Sequence, residues 1–214
     1  NAHPHSSEIV SVVHNGIIEN SDQLKKQFEK SGITFKSQTD TEVITVLLTE
    51  KLKKLDPLKA VFETIDILKG SFALGIIFKN HKDFVIGARR GSPLAVGYSN
   101  NENYLGSDSY ALKSMTNKIS YLDDGDVCVL SKDEVKFYNH NKDKINKEIF
   151  TLTEDKASVS KGNYKNFMIK EIFEQPVTTK TCLKEYIDKI REEINFYNLP
   201  LDPKEISKIV LIGC

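Results

Sequence analysis

The chain has 214 residues, enough to bury a full core, and its 30 basic residues balance 30 acidic ones to a formal net charge of zero, so no overall field argues for nucleic acid or an anionic membrane as a partner. Its apolar runs fall well short of the roughly 18 residues a spanning helix needs, and no signal peptide is recognisable. Three scattered cysteines, Cys128, Cys182 and Cys214, fit a reducing compartment better than a disulfide framework and predict a cytoplasmic location.

In chain order, Asn1-Ala2-His3-Pro4-His5 reads as a loop. Its two imidazoles lack a Cys, Asp or third His at ligand spacing, so a loop lining a pocket is expected and a metal is not. Ile9, Val10, Val12 and Val13 then form a β-branched run with the character of a buried strand. That strand is expected to stop at Asn15-Gly16, the commonest signal for a tight turn with positive φ. Two readings of the dipeptide stand. A turn accounts for it fully. Alternatively, an Asn amide beside a Gly N–H at a strand end supplies two preorganised donors for one developing negative charge, as an oxyanion hole requires.

Asn20, Ser21 and Asp22 are candidate caps for a helix from Leu24 to Lys30, closed by Ser31-Gly32. Ile33-Thr34-Phe35 reads as a short strand. Thr39, Asp40 or Thr41 then caps a helix carrying Val43, Ile44, Val46, Leu47 and Leu48. Asp40 has a second reading, as a carboxylate for a ligand's ammonium near Asn15. Asp56-Pro57 opens a third helix, which Gly70 ends.

Beyond Gly70 the period changes from helix to strand. Segments at 71–78, 84–88, 94–98, 104–107, 119–122, 127–130 and 135–138 predict an antiparallel meander. Ser107-Asp108-Ser109 predicts a brief capped helix between them. Asp123-Asp124-Gly125-Asp126 is a turn lacking the longer loop and terminal Glu of a calcium site. Cys128 alternates with Val127 and Val129, as core packing does. A last strand at 149–152 precedes a polar linker, a helix over 166–174 broken at Gln175-Pro176, and a further helix over 178–194. Ile209 to Gly213 reads as a buried strand entering a glycine turn. An opening residue other than Met and a stop just past a strand predict a piece of a longer polypeptide.

His14-Asn15-Gly16-Ile17-Ile18-Glu19-Asn20, Thr39-Asp40-Thr41-Glu42-Val43-Ile44 and Gly91-Ser92-Pro93-Leu94, in this order and spacing, resemble the glutaminase domain of class II glutamine amidotransferases. Asn1 to His5 and Lys170-Glu171-Ile172-Phe173-Glu174-Gln175-Pro176 are similar to segments of the hexosamine-forming branch, whose members pass the amide nitrogen of glutamine to fructose 6-phosphate. The resemblance implies an α+β four-layer αββα sandwich over residues 1–152, a linker over 153–166, and over 167–214 the start of an α/β sugar isomerase domain, through which a homo-oligomer, a dimer, would form. It implies that Asn15 and Gly16 are the oxyanion donors and that Asp40 holds the glutamine α-ammonium, with no cofactor. By the resemblance, the family's nucleophilic N-terminal cysteine would lie upstream of Asn1, and none of Cys128, Cys182 or Cys214 takes its place. The chain by itself is therefore expected to be inactive. A class II amidotransferase acting on phosphoribosyl pyrophosphate, or a non-catalytic binding module of the same fold, are the rival readings.

Overall fold

The computed structural model describes residues 2–152, 161–184, 186–188, 193–194, 205–208 and 210. They fall into two compact units, 1–153 and 154–214.

The first unit holds β1 (His5–Ser6), β2 (Val10–Ile18), α1 (Ser21–Lys30), α2 (Thr41–Leu52), α3 (Pro57–Ile67), β3 (Gly70–Phe78), β4 (His81–Arg90), β5 (Ala95–Ser99), β6 (Glu102–Gly106), α4 (Ser109–Leu112), β7 (Lys118–Tyr121), β8 (Val127–Ser131), β9 (Val135–Tyr138), β10 (Lys144–Ile145) and β11 (Phe150–Thr151). The strands make two antiparallel sheets, in the orders β1-β2-β3-β4-β8-β9-β10 and β11-β7-β5-β6. The expected meander is thus divided: the chain leaves the first sheet after β4, builds β5 to β7 of the second, and returns at β8. Period-two alternation marks each strand but carries no information on which sheet it joins.

Three helices cover one face of the first sheet. Val10, Val12 and Ile18 of β2, Phe72, Leu74 and Ile76 of β3, and Val43, Ile44 and Leu48 of α2 belong to this core. Each such side chain contributes about 1.5–3 kcal/mol on leaving water. The opposite face packs on the second sheet through Ala73, Val96, Leu122, Cys128 and Phe137. Gly87 makes that approach possible, because a Cβ there would lie 2.7 Å from Cys128 Sγ and 2.9 Å from Leu105 Cδ1. Outside the second sheet, the described residues place only α4, whose Leu112 packs with Ala95 and Ile119.

Three local expectations are corrected. The strand does not stop at Asn15-Gly16: β2 runs through it, with Asn15 opposite Ala73, Gly16 opposite Phe72 and Ile18 opposite Gly70. Gly16 keeps φ +133° inside this ladder, so the glycine serves a strained strand and not a hairpin. Residues 33–35 are irregular and form no strand. Asn20 does not cap α1 by its side chain. Its amide instead bridges the end of α3, donating to Ile67 O (3.0 Å) and accepting from Lys69 N–H (2.9 Å). By contrast Asp56 caps α3 as read, accepting from Lys59 N–H at 3.1 Å with Pro57 in the first turn.

Gly91-Ser92-Pro93-Leu94 lies where the chain crosses between sheets. There Gly91 N–H donates to Asp124 (3.0 Å), and Lys147 holds Asp123 (2.6 Å) and the buried Asp126 (2.5 Å). The Asp-rich turn is therefore an ion-paired brace.

In the second unit α5 (Phe167–Lys184) passes unbroken through Pro176, correcting the expected break. The helix foreseen as far as Ile194 is replaced by β12 (Ile187–Asp188) and β13 (Glu193–Ile194), paired antiparallel. Residues 153–160, most of the predicted linker, and all but Val210 of the predicted final strand lie outside the described residues.

Candidate active site

In an antiparallel ladder the N–H and C=O of successive residues turn to opposite edges of the strand. Ile9 and Glu19, at the two ends of β2, bond Lys79 and Lys69 at the ends of β3, both at 3.0 Å. Odd residues of β2 therefore face β3, and even residues face its other edge. Along that edge β1 pairs with Val12 and then ends.

Side chains take over where β1 ends. Val10 N–H donates to Ser7 Oγ (3.2 Å), His14 N–H to His3 Nδ1 (3.3 Å) and Ile18 N–H to Asp40 Oδ2 (2.7 Å). Gly16 N–H lies between the last two and has no side-chain acceptor among the described residues. It is the open donor of the row. Asn15, whose side chain alternates to the face away from the helices, is exposed beside it, as is Gly16 itself.

The sequence-derived trio is thus brought together. Asn15 and Gly16 offer an amide and a backbone N–H, and Asp40 stands at Ile18, two residues or ~7 Å along the same edge. That separation matches the reach from the side-chain amide to the α-ammonium of an extended glutamine. The capping role of Asp40 is not realised. It occupies the N-cap position of α2 without a side-chain capping bond, and its carboxylate turns to the strand. One of its oxygens takes Ile18 N–H, which leaves Oδ1 for a cation.

The loop before α2 is held by Glu42, which accepts from Lys36 N–H (2.8 Å), Ser37 N–H (2.6 Å) and Ser37 Oγ (2.6 Å). Burial alone raises its carboxyl pKa, but these bonds outweigh burial and hold it below the usual range. The carboxylate stays charged, and the loop carrying Asp40 stays pinned.

Sequence reasoning missed His14 and Thr41. His14 is buried against the helices, with Nδ1 3.0 Å from Thr41 Oγ1. Thr41 Oγ1 is also 3.3 Å from His3 Nε2, and His5 Nε2 is 3.1 Å from Thr39 Oγ1. The N-terminal loop does lie against these residues as expected, through bonds to the Thr39 and Thr41 hydroxyls. Parity held the signal: His14 shares the alternation of Val10, Val12 and Ile18, which marks a buried polar group needing a partner. Burial lowers the His14 pKa below that of a free ring, against Asp40 and the Ser71 carbonyl, which raise it.

Cys128 does not suit the site. Cys128 is fully buried between the sheets, and burial pushes its thiol up to about 12, so it is no thiolate at neutral pH. Cys182 lies in α5 of the other unit.

A family model for the glutamine amidotransferase domain matches residues 2–114. The glutamine–fructose-6-phosphate aminotransferases (isomerizing) of Zymomonas mobilis and Gluconobacter oxydans are 42% and 41% identical to the chain over its whole length. The chain spans 35% of each. Among solved structures, a glutamine phosphoribosylpyrophosphate amidotransferase from B. subtilis in complex with ADP and GMP superposes with a TM-score of 0.55. That match is 21% identical and covers 66% of this chain and 31% of the other. A structure described as the allosteric regulatory enzyme of purine biosynthesis gives a TM-score of 0.53 at 23% identity, over 64% of this chain and 30% of that one. At such identities these two establish the fold alone: a sheet-rich α+β amidotransferase fold. With the family model spanning more than half of its residues, the chain belongs to the glutamine amidotransferase domain family.

Proposed function

We propose that this chain is the glutamine-handling part of an enzyme that moves the amide nitrogen of glutamine to fructose 6-phosphate, giving glucosamine 6-phosphate and glutamate. The observation that carries the reading is the open Gly16 N–H beside Asn15, flanked on the same edge by the Asp40 carboxylate. In this reading Asp40 Oδ1 takes the α-ammonium of glutamine, and the side-chain amide lies against Asn15 and Gly16. A cysteine other than Cys128 or Cys182 attacks the amide carbon. The carbonyl electrons move onto oxygen, and the Asn15 carboxamide and Gly16 N–H stabilise that oxyanion. Collapse expels ammonia and leaves a thioester, which water hydrolyses to glutamate.

Fructose 6-phosphate as acceptor is supported by the two relatives, whose similarity extends through Lys170 to Pro176 to the end of the chain. The start of a sugar isomerase domain after the linker, a dimer formed through it, and a cytoplasmic location belong to the same proposal. No described helix is long and apolar enough to cross a membrane. By this reading the 214-residue chain alone does not hydrolyse glutamine.

The test is an assay of the full-length protein with glutamine and either fructose 6-phosphate or phosphoribosyl pyrophosphate, following glutamate and the amino sugar. Glutamate release with glucosamine 6-phosphate is expected. Amide transfer to phosphoribosyl pyrophosphate moves the protein to another branch, and absence of both glutamate release and glutamine binding refutes the reading.

A further inference from the structure

The chemistry above leaves one polar cluster unused, the buried His14 and Thr41 with the exposed His3. His14 is 5% exposed and its Nε2 has no hydrogen-bond partner among the described residues. Its other nitrogen meets the Thr41 hydroxyl, which also meets His3 Nε2, while His3 Nδ1 accepts from His14 N–H. These bonds close a ring over three separate elements: the loop before β1, the first turn of α2, and β2.

Counting protons fixes the direction of the ring. His3 Nδ1 is an acceptor, so in a neutral His3 the proton is on Nε2 and is donated to Thr41 Oγ1. The single Thr41 proton is then free to go only to His14 Nδ1, which must be bare, and the His14 proton sits on Nε2. Running the ring the other way leaves both nitrogens of His3 as acceptors, an imidazolate, which water at neutral pH does not permit. One pair of tautomers satisfies every contact.

We propose that this His3–Thr41–His14 ring is the positioning device of the glutamine site, setting the distance between the oxyanion donors and the ammonium-binding carboxylate. The proposal rests on the functional reading above. Its reason lies in the chain itself: His14 immediately precedes Asn15, and Thr41 immediately follows Asp40. A single hydrogen bond between His14 and Thr41 therefore ties the two halves of the site together through adjacent residues. His3 ties both to the loop that closes the strand edge. The same substrate must reach both halves, and misplacement by about 1 Å costs on the order of a hundredfold in rate.

The ring opens on protonation. An imidazolium at His14 carries a proton on Nδ1, and the Thr41 hydroxyl can no longer donate to it. The charged and titratable groups facing His14 are Asp40 from the loop before α2 and His3 from the loop before β1, with the Ser71 carbonyl on β3. His3 is in turn flanked edge-on by His5, ring centroids 5.5 Å apart.

The experiment uses the full-length protein. Nitrogen chemical shifts of its labelled histidines are expected to show His14 as the tautomer protonated on Nε2, with Nδ1 bare toward the Thr41 hydroxyl. Thr41→Val keeps the shape and removes the hydroxyl. It is expected to lower kcat/KM for glutaminase activity at least about tenfold and to move the acid limb of the pH profile, while Thr41→Ser restores both. A His14 protonated on Nδ1 overturns the ring. Wild-type kcat/KM and pH profile in Thr41→Val overturn the positioning role alone. Absence of glutamate release from the unaltered protein overturns the functional reading, and the positioning role with it.

Discussion

Replacing Gly16 by Ala tests the site and the strand together. A Cβ at this position would overlap the Ser71 carbonyl oxygen, lie 2.8 Å from the Ser71 carbonyl carbon and 2.9 Å from Phe72 Cα. All three are backbone atoms of β3, so no side-chain rotation relieves the overlap. The φ of +133° adds strain that an L-residue accepts only at about 1–3 kcal/mol. Relief requires parting β2 from β3 around Phe72, at about 0.5–1.5 kcal/mol for each ladder hydrogen bond lost. Together these give a destabilisation of roughly 3–5 kcal/mol. For a unit of this size that is a fall in Tm of about 6–20 °C. Calorimetry of the full-length protein reads the shift, and amide exchange locates it: protection should fall at Ser71 to Leu74 and on the facing residues of β2. A Gly16→Ala protein with unchanged Tm and unchanged exchange there would refute the argument that Gly16 is imposed by the approach of β3.

Four further outcomes follow from the site. Asn15→Ala removes the proposed oxyanion donor from an exposed side chain and should lower kcat for glutamate release by about 10² to 10³ with little change in stability, read by kinetics alongside calorimetry. Asp40→Asn keeps an oxygen for Ile18 N–H but loses the charge, so KM for glutamine should rise with Tm near that of the parent; an unchanged KM removes Asp40 from ligand binding. Thiol labelling of the native protein at mildly alkaline pH, followed by peptide mapping, should modify the exposed Cys182 and spare Cys128, whose thiol stands at about 12. Stability should also fall as pH drops from 6.5, the value for a free ring, because the unfolded chain protonates His14 before the folded one does. His5, lowered first by burial and then by His3, acts in the same sense. Urea midpoints between about pH 7 and 5 measure the slope, and His14→Asn should flatten it; a slope of the opposite sign contradicts a buried neutral His14.

Much of the fold was legible in the sequence because alternation and helical spacing are local. The run 135–138 became a strand with the boundaries read from it, the run 71–78 did so with Gly70 added at its start, and Asp56-Pro57 capped α3 as such a pair should. What was not legible depended on distant parts of the chain. Asn-Gly favours a turn in isolation, but nine consecutive pairings with β3 override that preference and hold Gly16 in an extended ladder. Asp40 sits in the sequence position of a cap, and only the approach of Ile18 shows that its carboxylate has another task. Pro176 breaks a helix by local rules, yet α5 tolerates it within 18 residues. The division of the strands into two sheets follows from which faces are apolar on both sides, which no single segment discloses. At the site, Asn15, Gly16 and Asp40 were singled out through resemblance; the residues alone favoured a turn and a cap. His14 was missed because the dipeptide after it drew the reading toward a loop, where a histidine needs no account.

The edge of β2 has a second consequence, for solubility. An exposed row of backbone donors and acceptors invites pairing with another chain. Here Ser7, His3 and Asp40 stand in for the missing neighbour strand, each occupying one N–H and each being unable to propagate a ladder. The sheet is thereby closed against edge-to-edge aggregation everywhere along this stretch except at Gly16. In the proposed reading, vulnerability to a foreign strand and readiness for an oxyanion are the same unfilled hydrogen bond, so substitutions at His3 or Asp40 should make the protein stickier as well as less active.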